Sequence, residues 1–425
     1  METWFQPKTF SIRALNVAQH AIPASYHYAG CSRNDSGTSP VHRSLPGEIM
    51  RQLFEKTSIG NIELANRSVR SATLSGVGDD RGYVTDRGLE FYGTLAEGNI
   101  GLIITGYQYI LTNGIQLPFM IGNYADDQID GLARLANVVH AKGGKIVPQI
   151  VHAGSQANPE LFREGDELWG ASPIPDHMSG AVPVEVDTRK IRQLVEAYAA
   201  AAVRSKRAGF DGVQLHGAHG YGINQFLSPA WNKRGDAYGG SVKNRYRFLG
   251  EVMEAVRGAV GDDFPVLIKL NGQDFIEGGL VPEESVQIGR RLADDGIAAI
   301  EVSGGCAASP KDKATVRKGI KNMSDEGYFV ELAAFFKRSV PVPIMTVGGI
   351  RSLKIIEDIL SEGKADYVAM ARPFIREPHL IERWRSGDTE RARCISCNGC
   401  FETGIKGHGI SCKIERKLAE KHGKK

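Results

Sequence analysis

The chain has 425 residues, of which 42% are hydrophobic and 24% are charged, a composition typical of a globular protein with a large core. Its formal net charge is only +3, from 52 basic and 49 acidic residues, so the charge balance does not indicate a nucleic-acid partner. Apolar runs stay well short of the roughly 20 residues that a membrane helix needs, which favours a cytoplasmic protein.

Residues 1–50 show no sustained hydrophobic periodicity, and residues 1–45 contain only Glu2 and Asp35 as acidic residues. We therefore predict a disordered leader. Two origins fit this segment. A misassigned start codon upstream of Met50 is the interpretation we favour, but an acid-poor segment with Ser and Arg also fits an organelle transit peptide.

From Leu53 onward, strand-like and helix-like segments alternate, as they do in a parallel sheet with crossover helices. Strands are expected near residues 68–73, 100–105, 145–151, 210–216, 265–270, 298–303, 342–347 and 366–370. Helices are expected near residues 86–98, 127–142, 188–208, 244–259, 282–295, 327–338, 352–362 and 373–386. Repeated strand–helix units with no spare element predict an α/β protein with a closed (β/α)8 barrel, the TIM-barrel fold, over residues 51–387.

Three connections after strands are longer than a compact barrel requires: residues 154–187, 217–241 and 304–325. All follow the carboxyl ends of strands, where barrels of this type carry their active sites. The third connection is basic, which fits either a lid over an anionic or carbonyl substrate or a solvated loop. Its basic residues are Lys311, Lys313, Arg317, Lys318 and Lys321.

Chemically useful side chains cluster directly after the fourth predicted strand. His216, His219 and Tyr221 lie within six residues, in a glycine-rich turn that leads toward a helix. Two imidazoles about one turn apart, with a phenol beside them, suit a site that polarises a carbonyl and donates a proton. The alternative is that both histidines are structural and bonded to the backbone of the turn.

Several stretches carry a family resemblance. The most specific is LHGAHGYGINQFLSP at residues 215–229, followed by NKRGDAYGGSVKNRYRFLGEV at residues 232–252. LANRSVRSA, VPQIVHAG, VLIKLNGQDF, VGGI and ADYVAMARPFIREP occur at strands one, three, five, seven and eight. Together they resemble the old yellow enzyme family of FMN-dependent NADH:flavin oxidoreductases, from about Leu53 to Arg385. The resemblance implies a (β/α)8 barrel with FMN at its carboxyl-terminal mouth and NADH or NADPH as reductant.

The resemblance also implies which residues bind FMN. The backbone amides of Gly348 and Gly349, with Ala371 and Arg372 at the start of the last helix, fit a phosphate cradle. Gln149 has an amide that suits the pyrimidine edge of the flavin. Lys269 supplies a cation near flavin N1 and O2. The remaining flavin contacts implied by the resemblance are Ser71, Ala72, Thr73, Gly106 and His216.

The reaction implied is the reduction of an activated alkene, namely an enone, enal or enoyl thioester. His216 and His219 would bind the carbonyl oxygen, and Tyr221 would protonate the α-carbon. Two residues depart from the family pattern. Leu74 occupies a position where relatives commonly have Cys or Thr, and Gly76 replaces a tyrosine that some relatives use, so substrate preference and redox potential do not carry over.

A cysteine-rich tail, residues 388–425, follows the predicted barrel. Cys394, Cys397, Cys400 and Cys412 resemble the iron–sulfur segment of 2,4-dienoyl-CoA reductases and trimethylamine dehydrogenases, with one residue fewer between the second and third cysteines. A [4Fe–4S] cluster, a structural zinc ion and an empty tail all fit this pattern.

Two other readings of the chain stay open at this point. One is a metal-dependent hydrolase on the same barrel, with His152, His216 and His219 as ligands. The other is an FMN-binding electron-transfer subunit that needs a partner chain. A small-molecule substrate is expected in either enzyme reading, and a homo-oligomer is compatible with the sequence.

Overall fold

The computed structural model describes residues 52–422, and the predicted leader, residues 1–50, lies outside them. The strands in chain order are β1 Thr57–Ile59, β2 Ile62–Leu64, β3 Ser68–Arg70, β4 Leu102–Ile104, β5 Gln108–Tyr109, β6 Ile146–Val147, β7 Gln149–Val151, β8 Trp169–Gly170, β9 Val184–Glu185, β10 Val213–Gly217, β11 Val266–Asn271, β12 Ala299–Ser303, β13 Ile344–Val347 and β14 Tyr367–Met370. The helices are α1 Asp86–Glu97, α2 Ile129–His140, α3 Thr188–Arg207, α4 Gly222–Leu227, α5 Val242–Val260, α6 Pro282–Asp294, α7 Val330–Lys337, α8 Leu353–Ser361, α9 Arg372–Arg376, α10 Leu380–Arg385, α11 Phe401–Gly404 and α12 Lys413–His422.

Parallel strands form the predicted (β/α)8 barrel. β14 pairs with β3, and β3 pairs with β4, so the last and first barrel strands meet. β6 pairs with β4 and β7 pairs with β10, so these two short strands form one barrel strand that is interrupted at Pro148. Pro148 lacks the N–H that would continue the ladder. Its carbonyl oxygen still accepts a hydrogen bond from the N–H of Gln214 at 2.9 Å, which keeps the barrel closed.

An antiparallel hairpin, β1 and β2, plugs the amino-terminal end of the barrel. Ile59, Ile62 and Leu64 pack with inward-facing barrel residues such as Leu267 and Met345, and all of these side chains are almost completely buried. Burial of this kind contributes about 1.5–3 kcal/mol for each large aliphatic side chain. The amino-terminal end is thereby filled, and the carboxyl-terminal end is left for a ligand site.

The helices differ from the sequence prediction at the last barrel helix, at α4 and in the tail, where α11 and α12 lie in a segment without a predicted helix. The helix expected at residues 373–386 is two helices, α9 and α10, which Pro378 separates because the residue before a proline disfavours the helical conformation. The helix α4 follows Tyr221 directly, where the glycine-rich turn leads toward a helix, but its bounds were not predicted, since six residues are too few to show helical periodicity. Within residues 52–422, none of the helices is long and apolar enough to span a membrane.

The described part of the cysteine-rich tail packs against the barrel. The N–H of Gly409 donates to the carbonyl oxygen of Gly76 at 3.0 Å, and that of Ile410 donates to Ser75 at 2.8 Å. These bonds attach the tail to the segment that follows β3. The tail therefore becomes part of the wall around the barrel mouth.

Candidate active site

A cavity of about 450 Å³ opens at the carboxyl ends of the barrel strands, and its volume lies within the usual range for ligand sites. Most of the residues predicted from the sequence line this cavity. They are Ser71, Ala72, Thr73, Gln149, His216, His219, Tyr221, Lys269, Gly348, Gly349, Ala371 and Arg372.

Gly106 is placed differently from the other predicted residues. Its N–H donates to the phenol oxygen of Tyr92 at 2.7 Å, and an added Cβ would lie 2.8 Å from Ser75 Oγ. Gly106 therefore packs behind the wall of the cavity, where only a glycine fits.

His216 and His219 face each other, with ring centroids 5.0 Å apart and an interplanar angle of 83°. The N–H of Ala218 donates to Nδ1 of His216 at 3.3 Å, so the proton of that ring resides on Nε2. Nε2 of His219 lies 2.8 Å from the hydroxyl of Ser303. We assign Ser303 as the donor of this bond, which leaves the proton of His219 on Nδ1, so that each ring keeps one N–H to offer a ligand.

His219 has an unusual backbone conformation, with φ of +64°. Residues other than glycine rarely adopt this left-handed region, and such conformations cluster at functional sites where the surrounding structure enforces them. Here the N–H of His219 donates to Oδ1 of Asn271 at 3.2 Å. The turn redirects the chain between β10 and α4, which places both imidazoles at the same cavity.

Burial sets the charge of both histidines. It lowers the pKa of His216 and of His219 well below the usual value of 6.5, and the ammonium group of Lys269 lowers both further. Both rings are therefore neutral near pH 7. A neutral imidazole can donate a hydrogen bond without bringing a full charge into the cavity.

Tyr221 lies next to the histidine pair, with its ring centroid 4.6 Å from that of His216. Its hydroxyl donates to Oε1 of Gln116 at 2.7 Å, and the hydroxyl of Tyr107 donates to the same oxygen at 3.1 Å. Burial raises the pKa of Tyr221, so the phenol stays protonated. Tyr107 also lines the cavity but was missed from the sequence, where it stands two residues after the second predicted strand without any motif.

The wall formed by β7 and β11 fits the FMN that the sequence resemblance implies. Oε1 of Gln149 is buried and has no hydrogen-bond partner among the described residues, so it is an acceptor without a donor. Nζ of Lys269 donates to Ser71 Oγ at 2.8 Å and forms an ion pair with Glu301 at 3.1 Å. A flavin pyrimidine ring offers an N3–H donor between carbonyl acceptors, which matches an orphan acceptor and a nearby cation.

The turn after β13 and the start of α9 form the predicted phosphate cradle. Gly348 and Gly349 have φ angles of +127° and +73°, and an added Cβ on Gly349 would lie 2.7 Å from the Tyr328 ring. The guanidinium of Arg317 packs 4.1 Å from the centroid of the Tyr328 ring. Arg372 begins α9 and also lines the cavity. Open backbone amides with guanidinium groups nearby suit a phosphate.

Gly349→Ala is expected to weaken FMN binding about tenfold or more, because the new methyl group would both strain a left-handed backbone and press on Tyr328. Titration of the apoprotein with FMN, followed by flavin fluorescence, measures this affinity. Gly363→Ala is the matched control, since Gly363 also has a positive φ of +65° but has open space around it. Equal FMN affinity in the two variants would contradict the cradle.

The tail explains the two departures noted in the sequence. Leu74 lines the cavity, and an added Cβ on Gly404 would lie 3.6 Å from its side chain. A Cβ on Gly76 would lie only 2.2 Å from the carbonyl oxygen of Gly404. The backbone of the tail therefore occupies the space that a side chain at position 76 would need. Phe401 and Ile405 of the tail complete this side of the cavity.

The tail cysteines lie around one small cavity beside the FMN site. Cys394, Cys397, Cys400 and Cys412 all line it, together with Arg372, which also lines the larger cavity. Burial raises the pKa of the Cys400 thiol to about 11. Within residues 52–422, the described His, Cys, Asp and Glu side chains form no group of three or more that is already arranged to hold a metal ion.

The basic connection at residues 304–325 lies at the rim of the main cavity. Ala314, Thr315 and Val316 line the cavity, whereas the four lysines of the loop are exposed. Arg317 is the exception among the basic residues, because its guanidinium packs on Tyr328 at the phosphate cradle. The loop covers the cavity with small and apolar groups and directs its lysines toward solvent.

The hydrolase reading, with His152, His216 and His219 as metal ligands, is wrong. His152 is fully buried, stacks on Trp169 with centroids 5.9 Å apart, and bonds to Asn113 Oδ1 at 3.1 Å. Burial lowers its pKa to about 3, and it is not among the residues that line the main cavity. It is a structural histidine in the packing between β7 and the loop that follows.

The fold and the site together define a barrel oxidoreductase of the flavin-binding class. The chain belongs to the NADH:flavin oxidoreductase / NADH oxidase family, whose sequence model matches residues 52–390. This match covers most of the chain and confirms the resemblance to old yellow enzyme.

Individual relatives agree with this assignment. The chain is 36% identical over 352 residues to an NADH oxidase from Thermoanaerobacter brockii. The aligned residues cover 82% of this chain and 53% of that protein. It therefore spans about half the length of that relative. Among solved structures, it is similar to 2-naphthoyl-CoA reductase in complex with 2-naphthoyl-CoA (TM-score 0.79, 28% identity, 85% of this chain and 56% of the other). It is also similar to the old yellow enzyme homologue from Zymomonas mobilis (TM-score 0.69, 25% identity, 80% and 94%).

Proposed function

We propose that the chain reduces activated alkenes, such as enones, enals or enoyl thioesters, with FMN as bound cofactor and NADH or NADPH as electron donor. The observation that carries this proposal is the convergence of His216, His219 and Tyr221 on the cavity that also contains the Gln149 and Lys269 wall. When bound, FMN supplies hydride chemistry between the nicotinamide and the alkene.

The side chains of the site have separate parts in this reaction. The neutral imidazoles of His216 and His219 donate hydrogen bonds to the carbonyl oxygen of the substrate and stabilise the negative charge that develops there. Tyr221 remains protonated and lies beside them, so its phenol can deliver a proton to the α-carbon. A thioester carbonyl suits the same donors, and a similar structure contains 2-naphthoyl-CoA.

Absorption spectra of the purified protein test this proposal. We expect a flavin spectrum that NADH or NADPH bleaches without oxygen, and that an enone or an enoyl-CoA restores. Nitro compounds serve as a further panel of oxidants. A colourless preparation that does not take up added FMN would refute the proposal. A preparation that bleaches but turns over only when a second protein is added would favour the electron-transfer subunit instead.

We also propose that the tail cysteines hold a [4Fe–4S] cluster. All four thiols line one cavity and are the ligand type that such a cluster needs, but they would have to move closer together to bind it, because no three of the described side chains already surround one metal position. Their free state also favours a reducing compartment such as the cytoplasm. Arg372 borders both this cavity and the FMN cradle, since its Nη1 donates to Arg317 O and to Asn398 Oδ1 of the tail, each at 2.7 Å.

Anaerobically purified protein is expected to contain about four iron atoms and four sulfides per chain. Cys412→Ser should lower both contents, because it removes one of the ligands. Cys306→Ser is the matched control and should keep them, since Cys306 lines the main cavity and not the tail cavity. Zinc without sulfide, or neither metal nor sulfide, would exclude the cluster.

A further inference from the structure

A buried carboxylate lies behind the FMN wall. Glu301 of β12 has no exposed surface and is not among the residues that line the cavity. Its Oε1 accepts from Ser71 Oγ at 2.6 Å and forms the ion pair with Lys269. Its Oε2 accepts from Nε2 of Gln214 at 3.0 Å. Both oxygens of Glu301 therefore have hydrogen-bond donors.

The carboxylate of Glu301 fixes the orientation of two side-chain amides, first that of Gln214 and through it that of Gln149. A carboxylate only accepts hydrogen bonds, so Gln214 must present its NH₂ group to Glu301. Its Oε1 then faces Gln149 and accepts from Nε2 of that residue at 2.7 Å. Gln149 has thereby used its NH₂ group, and its Oε1 is left as the orphan acceptor already described. Glu301 is linked to Gln149 through Gln214, so the carboxylate of Glu301 determines the orientation of the Gln149 amide.

The same carboxylate acts on the cation of the wall. Lys269 and Glu301 stand opposite each other on β11 and β12, in register. Burial lowers the pKa of Lys269, and Glu301 opposes that shift by its charge and hydrogen bond. The buried Arg70 acts on both members of this pair, so the carboxylate of Glu301 offsets part of the positive charge that Lys269 and Arg70 bring to the wall.

We propose that Glu301 is a positioning residue for FMN: through Gln214 it holds Gln149 as an acceptor for flavin N3–H, and through Lys269 it limits how strongly the reduced, anionic flavin is favoured. This inference rests on the FMN site proposed above. It assigns to a residue outside the cavity the control of both affinity and redox potential.

Two variants separate these effects. In Glu301→Gln the new amide can point its NH₂ group toward Gln214, which reverses the orientations of Gln214 and Gln149. It can instead point that group toward Lys269 and Ser71, where the new N–H donors would face the ammonium and hydroxyl donors of those residues. We expect FMN to bind at least tenfold more weakly, by fluorescence titration of the apoprotein. Loss of the negative charge should also favour reduced over oxidised FMN about tenfold, a rise of about 30 mV in the midpoint potential of a two-electron couple.

Gln214→Met removes the amide link but keeps the Lys269–Glu301 pair. It should weaken FMN binding without the change in midpoint potential. Thr346→Val is the control, because Thr346 is fully buried on the adjacent strand β13 and its hydroxyl has no partner among the described residues. Thr346→Val should change neither the FMN affinity nor the midpoint potential.

Three results would overturn the inference. Glu301→Gln could match the wild type within twofold in both measurements, or Gln214→Met could shift the potential as much as Glu301→Gln does. The third result applies if Glu301→Gln does not fold. In that case, an FMN affinity of Gln214→Met equal to that of the wild type would overturn the inference. Failure of the wild type itself to bind FMN would instead refute the proposed function and this inference together.

Discussion

Tyr221→Phe is expected to slow alkene reduction by about 10²–10⁴-fold, the usual contribution of a general acid, and to leave reduction of the flavin by NADH unchanged. The centroid of the phenol ring stands 4.6 Å from that of His216, and burial raises the pKa of Tyr221, so it is a protonated donor beside the imidazoles proposed to bind the substrate carbonyl. Hydride transfer from a nicotinamide needs no such proton. The variant thus separates the two halves of the reaction.

Anaerobic stopped-flow spectroscopy measures both halves, as flavin bleaching by NADH and as recovery of colour with an enone. Tyr109→Phe is the matched control, because Tyr109 is also a buried tyrosine near the barrel mouth but its hydroxyl donates to the carbonyl of Arg81. It should keep both rates. Alkene reduction at the wild-type rate in Tyr221→Phe would remove Tyr221 from the mechanism.

The barrel could be predicted because each strand is marked by local signals. The run Leu102 to Ile104, which follows Gly101, is apolar and buried at every position, as expected for a strand walled by helices on one face and a core on the other. Pro148 is visible in the sequence within the third predicted strand, and it interrupts the hydrogen-bond ladder of the sheet at that position. The barrel persists because the Pro148 carbonyl still bonds to the next strand.

The positions of the site residues were predictable for a related reason. Residues that end parallel strands meet at one edge, so His216, Lys269 and Gly348 are brought together without any knowledge of loop conformation. The conformations and contacts of the loops were not predictable. The left-handed backbone at His219 and the place of the tail against Gly76 depend on contacts between residues far apart in sequence.

The sequence also contains a signal for Glu301. A cation inside an apolar strand, such as Lys269, is rarely buried without a partner. The same argument applies to the carboxylate in the next strand, which is the partner of Lys269. Tyr107 had no comparable signal, since an aromatic residue after a strand is most often part of the core. The shared bond to Gln116 and the ring contact, with centroids 5.7 Å apart, show its connection with Tyr221.

His216→Ala is expected to slow alkene reduction by about 10²–10³-fold, which is the usual effect of removing one donor to a developing oxyanion. His219→Ala should have a similar effect, because the two rings stand 5.0 Å apart and offer their remaining N–H groups to one cavity. The loss in the double variant should be smaller than the product of the single losses, since both donors serve the same oxygen. Losses that multiply fully would mean that the histidines act on different groups.

The pH dependence provides a second test of the same pair. A histidine that changed its charge near the usual pKa of 6.5 would give an inflection in the rate of alkene reduction between pH 6 and pH 8. Burial lowers the pKa of both rings well below that value, so protonation would begin only under more acidic conditions. The wild-type rate should therefore show no inflection from these rings across that range. A rate that rises as the pH falls through 6.5, and that no longer does so in His216→Ala, would show instead that the site uses an imidazolium, whose full positive charge would sit beside Lys269.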